Sequence, residues 1–342
     1  MLRRAALVTL CVLGWGLVSS CAERHDDRSV VVLYYSVDEV YARPIIEAFE
    51  HETGIRVDAR TDTEATKTTG LVGRLRLERD APVADVFWSS EPFMTEQLAR
   101  EGVLESMRTE ALDLWPEEYR APEYSWYGLA LRSRVIVFNT NLVTGEDAPG
   151  QMHDLTETKW KGRIAMARPE FGTTRGHMAM LVALWGDDGT RAWLAGLKAN
   201  RVLLLDGNSA VVRAVATGEA AVGLTDTDDV FSGQRNGWPI DLVYVRHDLG
   251  ASKHGVMTIP NTVARVKDGP NPDNAARLME FLMSEQVERL LAESDSHNYP
   301  VRATLRSEFG AYEPPDSMPL GIGDATDAMD DAMEACRDIL GG

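Results

Sequence analysis

The stretch from Val30 to Asp58 encodes a complete strand-helix-strand unit, and its turn places hydroxyls and a carboxylate where a buried strand feeds a helix. Val30-Val31-Val32-Leu33 is a continuous apolar run, the pattern of a strand covered on both faces. Tyr41, Ile45, Ala48 and Phe49 then recur at helical spacing. Gly54 can take the left-handed conformation that ends a helix, and Ile55-Arg56-Val57 opens a second strand. A chain that begins this way is committed to an α/β sheet, and such sheets bind ligands outside the carboxyl ends of their strands. Ser36 and Asp38 occupy that position in the first unit.

The same design recurs. Ala84-Asp85-Val86-Phe87-Trp88 reads as a strand and leads through Ser89-Ser90-Glu91-Pro92 into a helix with Met94 and Leu98 on one face and Gly102 as its stop. Ile164-Ala165-Met166 is followed by Gly172-Thr173-Thr174 at the head of a helix through Met178, Leu181 and Val182. Asn208-Ser209 precedes Val211, Val212, Val215 and Ala216, and the strand Ala220 to Leu224 runs into Thr225-Asp226-Thr227-Asp228-Asp229, the most acidic of the turns. Helix N-termini offer unpaired N–H groups and partial positive charge to an anion. Any one of these turns is adequately explained as an N-cap worth about 1 kcal/mol; five in one chain point to a site. Lys67, in a threonine-rich stretch, can add a positive charge. His177 lies beside the Gly-Thr-Thr turn, although a lone histidine on a helix is more often packed or solvated than functional.

Two longer segments, Gly128 to Asn139 and Val256 to Ala264, read as crossings between two lobes. The expected organisation is a signal segment over 1–20, one lobe from 29–131 and 260–312, a second lobe over 132–259, and a C-terminal extension over 313–342. Met1 to Ser20 has Arg3 and Arg4 ahead of an apolar run, a secretory pattern. Val18-Ser19-Ser20-Cys21 has the form of a bacterial lipoprotein processing site, which makes Cys21 the expected lipid-anchored first residue. Cys336 then has no partner for a disulfide and reads as a small buried hydrophobe. The 35 basic and 53 acidic residues give a net charge of -18, which argues against nucleic acid and for a soluble monomer. No Gly-x-Ser-x-Gly elbow, His-Glu-x-x-His, phosphate loop or Gly-x-Gly-x-x-Gly after the first strand is present.

In this order the segments resemble the periplasmic substrate-binding proteins of ABC importers, in particular the ferric-iron-binding family and its relatives for phosphonates and sugar phosphates. The resemblance rests on Val32-Leu33-Tyr34-Tyr35-Ser36, Thr53-Gly54-Ile55-Arg56-Val57, Ala84 to Ser89, Arg132-Ser133-Arg134-Val135-Ile136-Val137, Lys159 to Ile164, and Ser209 with Gly218-Glu219-Ala220. It implies a two-lobe periplasmic-binding-protein type II fold, each lobe a mixed sheet flanked by helices. It also implies a ligand closed between the lobes, no catalysis, and delivery to a membrane permease driven by an ATPase.

The resemblance further implies a ligand set, from which this chain departs. The iron-binding members hold their metal with a histidine in the first turn, a glutamate after the strand that corresponds to Ala84-Asp85-Val86-Phe87, and two adjacent tyrosines after the second-lobe strand. Here Asp38, Ser90 followed by Glu91, and Thr227-Asp228 stand at those places. The expected metal ligands are therefore Asp38, Glu91, Asp226 and Asp228, an oxygen set suited to Fe3+ or another hard cation as cargo. Gly172-Thr173-Thr174 stands where relatives bind a phosphate-like anion, and Ser36, Ser89, Ser90, Ser209, Thr225 and Thr227 complete the expected contacts. An aminoalkylphosphonate, with its ammonium on the acids, is the alternative cargo. A secreted hydrolase using Asp226 and Asp228, or a lipoprotein that binds a ligand and feeds a sensor, are the readings of other classes.

Overall fold

The computed structural model describes residues 29–62, 68–318 and 320–341; Cys21 and Lys67 lie outside them. In chain order the first elements are β1 (Val30–Tyr35), α1 (Glu39–Thr53), β2 (Arg56–Thr61), α2 (Thr69–Leu77), β3 (Val86–Ser89), α3 (Phe93–Arg100), β4 (Leu104–Glu105) and β5 (Tyr127–Asn139). Next come β6 (Ile164–Ala167), α4 (Gly172–Ala199), β7 (Leu203–Leu205), α5 (Asn208–Ala216), β8 (Val222–Asp226), α6 (Thr227–Arg235) and β9 (Ile240–Tyr244). The chain ends with β10 (Val256–Val266), α7 (Pro272–Leu282), α8 (Glu285–Glu293), α9 (Ala303–Arg306), β11 (Ser317–Met318), α10 (Ile322–Asp327) and α11 (Met329–Leu340).

The opening apolar run forms β1 because it is covered on both faces. Val31, Leu33 and Tyr34 are wholly buried, and β1 lies between parallel partners β2 and β3. Gly54 ends α1 with φ 71°, and its N–H returns to the Glu50 carbonyl. The strand order is β2-β1-β3-β10-β5-β8-β6-β7, with β10 antiparallel to both β3 and β5.

What joins the two halves is β5, a single strand of 13 residues, every one of them buried. From Tyr127 to Ser133 it pairs with β10, and from Arg134 to Asn139 it pairs with β8 and β9. The change of partner falls at Arg132-Ser133-Arg134, the polar interruption seen in the sequence. A register shift in β10 at Pro260/Asn261 lies opposite. This is a two-lobe, mixed α/β architecture in which two strands cross between sheets.

Three groups of buried side chains hold it together, one under the β1 face with α1, α7 and α8, one around β8 with α5, and a larger one reaching from β1 and α3 to α4, α10 and α11. Phe93 at the head of α3 packs on Gly176 of α4 so closely that a Cβ there would lie 2.0 Å from the ring. The C-terminal helices pack against α3 and α4, with Arg191 of α4 paired to Asp338 of α11 at 2.9 Å and Arg100 of α3 paired to Asp327 of α10. Cys336 is buried in the same region, which pushes its thiol up to about 12. No described helix is long and apolar enough to cross a membrane.

Candidate functional site

Strand ends from both sheets converge on one cleft that is open to solvent. Its walls come from the head of α1 (Asp38, Tyr41), Ser90 after β3, the head of α4 (Gly172, Thr173, Thr174), Gly207 and Asn208 at the head of α5, and the turn between β8 and α6. Arg132 of β5 and Asn261 of β10 form its base, so the partner change in β5 lies at the site itself.

The acidic turn divides its three carboxylates between two tasks. Asp226 is buried, and both oxygens are occupied: Oδ1 takes Arg134 Nη1 at 2.8 Å, while Oδ2 takes the Thr173 hydroxyl at 2.6 Å and Asn208 Nδ2 at 2.8 Å, with Arg132 Nε at 3.4 Å. Burial alone would raise its pKa; Arg134 and Arg132 outweigh burial and hold it below the usual carboxylate value. Asp228 and Asp229 follow in the first turn of α6, half-buried, and one oxygen from each can lie within 4.8 Å of the others and of Asp226. Arg132 Nε lies 3.8 Å from Asp228 Oδ2, so a buried guanidinium already adjoins this wall.

Facing these acids is Tyr41. Burial, and then the nearby Asp228 carboxylate, push its phenol well above the usual value, so it remains protonated. It can donate a hydrogen bond.

The head of α4 has the opposite character. Gly172 has φ 53°, a left-handed conformation that favours glycine, and no side chain caps the helix or brings an acid into its first turn. Its early N–H groups are therefore not consumed by a local carboxylate, and the helix dipole favours an anion there. Thr173 is committed to Asp226, and Thr174 reaches Asn208 Oδ1 at 3.5 Å.

Several residues expected at the site are elsewhere. Glu91 is buried and its carboxylate folds back on its own helix, accepting Phe93 N–H at 2.7 Å and Met94 N–H at 3.2 Å. It caps α3 and is not on the cleft wall, which corrects its expected place among the metal ligands. Ser89 donates to the Glu91 carbonyl at 2.8 Å, and Ser36 accepts Ser90 N–H at 3.0 Å within a buried hydroxyl group that includes Thr68. Thr225 is buried beneath the turn, and Thr227 accepts Ser133 N–H at 3.1 Å. These hydroxyls brace the turns from behind. Asn208, rather than Ser209, lines the cleft.

Sequence reading passed over Tyr41, Arg132, Arg168, Asp206, Asp229, Asn261 and Asn298, all of which line it. The doublet Arg132/Arg134 inside an otherwise apolar strand was the available signal, since a buried guanidinium needs a buried carboxylate. His177 lies behind the wall. Its Nδ1 takes Arg134 Nε at 3.3 Å and its Nε2 lies 2.8 Å from His247 Nε2; burial and Arg134 keep it neutral.

The family model for bacterial extracellular solute-binding proteins matches residues 33–294, which contain all of the cleft-lining residues except Asn298. The chain belongs to that family. Among similar proteins, Iron uptake protein A1 of Synechocystis is 29% identical over 312 residues, covering 85% of this chain and 83% of that one. A putative 2-aminoethylphosphonate-binding periplasmic protein of Salmonella paratyphi A is 24% identical, covering 83% and 82%. Iron-bound HitA from Pseudomonas aeruginosa superposes with a TM-score of 0.80 at 25% identity, covering 91% of this chain and 99% of that one. Membership makes this a solute-binding protein, and the expectation of a two-lobe type II fold holds.

Proposed function

We propose that this protein is the extracytoplasmic capture subunit of an ABC importer, and that it closes on a hard cation together with an oxyanion. The observation that supports this most is the placement of two opposite binding surfaces in one cleft: Asp228 and Asp229 on one wall and the uncapped head of α4 on another. Oxygen ligands suit a hard cation, and backbone N–H groups at a helix head suit the anion. Ferric iron is the first candidate because iron uptake and Fe(3+) binding are named for several relatives. In this reading Asp228 and Asp229, with Asp38 across the cleft, hold the cation. Asp226 anchors Arg132 and Arg134 and is not itself a ligand.

An aminoalkylphosphonate is the second reading. It is favoured by Arg132 and Arg168 on the cleft wall, which suit a phosphonate. A hydrolase reading fares worse. Both oxygens of Asp226 are occupied and its pKa is depressed, so it is poorly suited to pass a proton near neutral pH.

In this reading the lobes are 29–131 with 260–312 and 132–259, β5 and β10 are the hinge, and the C-terminal helices pack across α3 and α4. The protein is exported, lipid-anchored at Cys21 and monomeric, and its partners are a permease and its ATPase. Native mass spectrometry of protein purified without added ligand, followed by calorimetric titration with ferric citrate and with 2-aminoethylphosphonate, tests the proposal. Retained iron mass or saturable ferric binding supports the first reading. Binding of the phosphonate alone supports the second, and binding of neither overturns both.

A further inference from the structure

Beyond α8 the chain makes a short loop, Ser294 to Tyr299, whose central residues face different neighbours. Asn298 lines the cleft and is 4% exposed. Its Oδ1 accepts the Ser296 hydroxyl at 3.1 Å, and its Nδ2 is buried without a hydrogen-bond partner. Buried amide donors are almost always paired, so a donor left over in a cleft wall marks a place where a ligand acceptor fits. Tyr299 ends the loop by exchanging backbone hydrogen bonds with Leu131, 2.7 Å each way, next to Arg132.

His297, the residue before Asn298, faces α6 instead. It has φ 45° and stacks on Tyr312 at 4.2 Å with an interplanar angle of 8°. Phe231 of α6 meets both rings edge-on, 5.6 Å from His297 and 5.4 Å from Tyr312. One turn along the helix, Arg235 pairs with Asp295 of the same loop at 3.0 Å. Because α6 begins with the acidic turn, one helix carries Asp228 and Asp229 at its head and this aromatic contact just beyond.

We propose that Asn298 is a specificity-determining ligand contact, donating its Nδ2–H to an acceptor oxygen of the solute, and that His297 beside it latches α6 over the occupied cleft. This rests on the cleft being the solute site. A solute oxygen bound to Nδ2 steadies the loop, the loop presents His297 and Tyr312 to Phe231, and α6 is held with its carboxylates against the cargo. By linkage, whatever stabilises the latch tightens binding, and binding stabilises the latch. The protein then selects cargo carrying an oxyanion or carbonyl acceptor over a bare hydrated cation.

The test is stopped-flow and calorimetric binding of ferric citrate and 2-aminoethylphosphonate to the full chain and to the Asn298→Ala, Asn298→Asp and Phe231→Ala variants. Asn298→Asp retains the side-chain shape while removing the donor, so it guards against an effect of lost packing. The expected results are at least a tenfold loss of affinity in both Asn298 variants, larger in Asp. Phe231 does not line the cleft, and its substitution should raise the dissociation rate at least fivefold with an association rate within twofold. Asn298 variants within twofold of the wild type overturn the ligand contact, and an unchanged dissociation rate in Phe231→Ala overturns the latch. A wild-type protein that binds neither probe overturns the cleft reading beneath both.

Discussion

The heads of α3 and α4 lie side by side, with Phe93 of one against Gly176 of the other, yet they are finished in opposite ways. At α3 a carboxylate from the chain itself, Glu91, accepts the first N–H groups. At α4 no side chain caps the helix, no acid stands in its first turn, and the N-terminal residues line the cleft. One helix head has been turned into structure; the other remains available to a ligand. A turn rich in hydroxyls and acids between strand and helix therefore does not identify a binding wall. What matters is whether the chain's own carboxylate reaches the helix head or something else engages that carboxylate first. The acidic turn at α6 illustrates the second outcome: Arg134 and Arg132 claim Asp226, and Asp228 and Asp229 are presented to the cleft.

The largest effect should come from removing the group that claims Asp226. Arg134→Met leaves a buried carboxylate short of its main partner, and a loss of roughly 3–5 kcal/mol is expected in urea denaturation, as for other broken buried pairs. Adding Asp226→Asn should recover part of that loss. A change below about 1 kcal/mol, the scale of an exposed pair, would show that the arginines do not hold the turn. Because the Asp226 pKa is lowered on folding, its contribution is present above the unfolded carboxylate value. It is lost as pH falls through the depressed native value.

Glu91 should show the opposite pH dependence. Burial, offset in part by the Met94 and Phe93 N–H groups, raises its pKa to about 7. The folded protein thus keeps a proton that the unfolded chain releases near 4.5, and stability attributable to this group falls as pH rises from there to about 7. The span is of the order of 3 kcal/mol by the conversion of pKa shift to free energy. Glu91→Gln mimics the protonated acid, so its stability curve should be flatter across that window while cargo affinity stays within twofold. A large loss of affinity would put Glu91 back on the cleft wall.

The smallest of the three effects tests the wall itself. Asp228→Asn and Asp229→Asn should each weaken cargo binding about tenfold, near 1.4 kcal/mol, with little change in melting temperature. Equal melting and unchanged calorimetric affinity would make these residues ordinary first-turn acids on α6.

Much of the fold was legible because it rests on patterns local to the chain. The apolar run at Val31 to Leu33, the stop at Gly54 and the strand-turn-helix recurrences all appear as expected. The long segment from Gly128 to Asn139 was rightly read as a crossing, and the structure adds why its arginines are there: both are buried and both answer Asp226. The site was legible only as a set of turns. Glu91 and Ser90 are neighbours in sequence, but the backbone sends Ser90 to the cleft and Glu91 under α3. Asn261 and Asn298 reach the cleft from far along the chain, through the register shift in β10 and the Leu131–Tyr299 bridge, and no local pattern marks them. Tyr41 was counted as part of the apolar face of α1, which hid its position opposite Asp228.

The central claim is that the cation rests on Asp228 and Asp229 and the anion at the head of α4, while the head of α3 takes neither. Anomalous diffraction at the iron absorption edge, from crystals of the protein loaded with ferric iron and phosphate, addresses it directly. The expected map has one iron peak within bonding distance of an Asp228 or Asp229 oxygen and phosphate density against the N–H groups of Gly172 to Thr174. An iron peak bonded to Glu91 or Asp226, or a cleft with no iron peak in a protein shown to have taken up the metal, would contradict it.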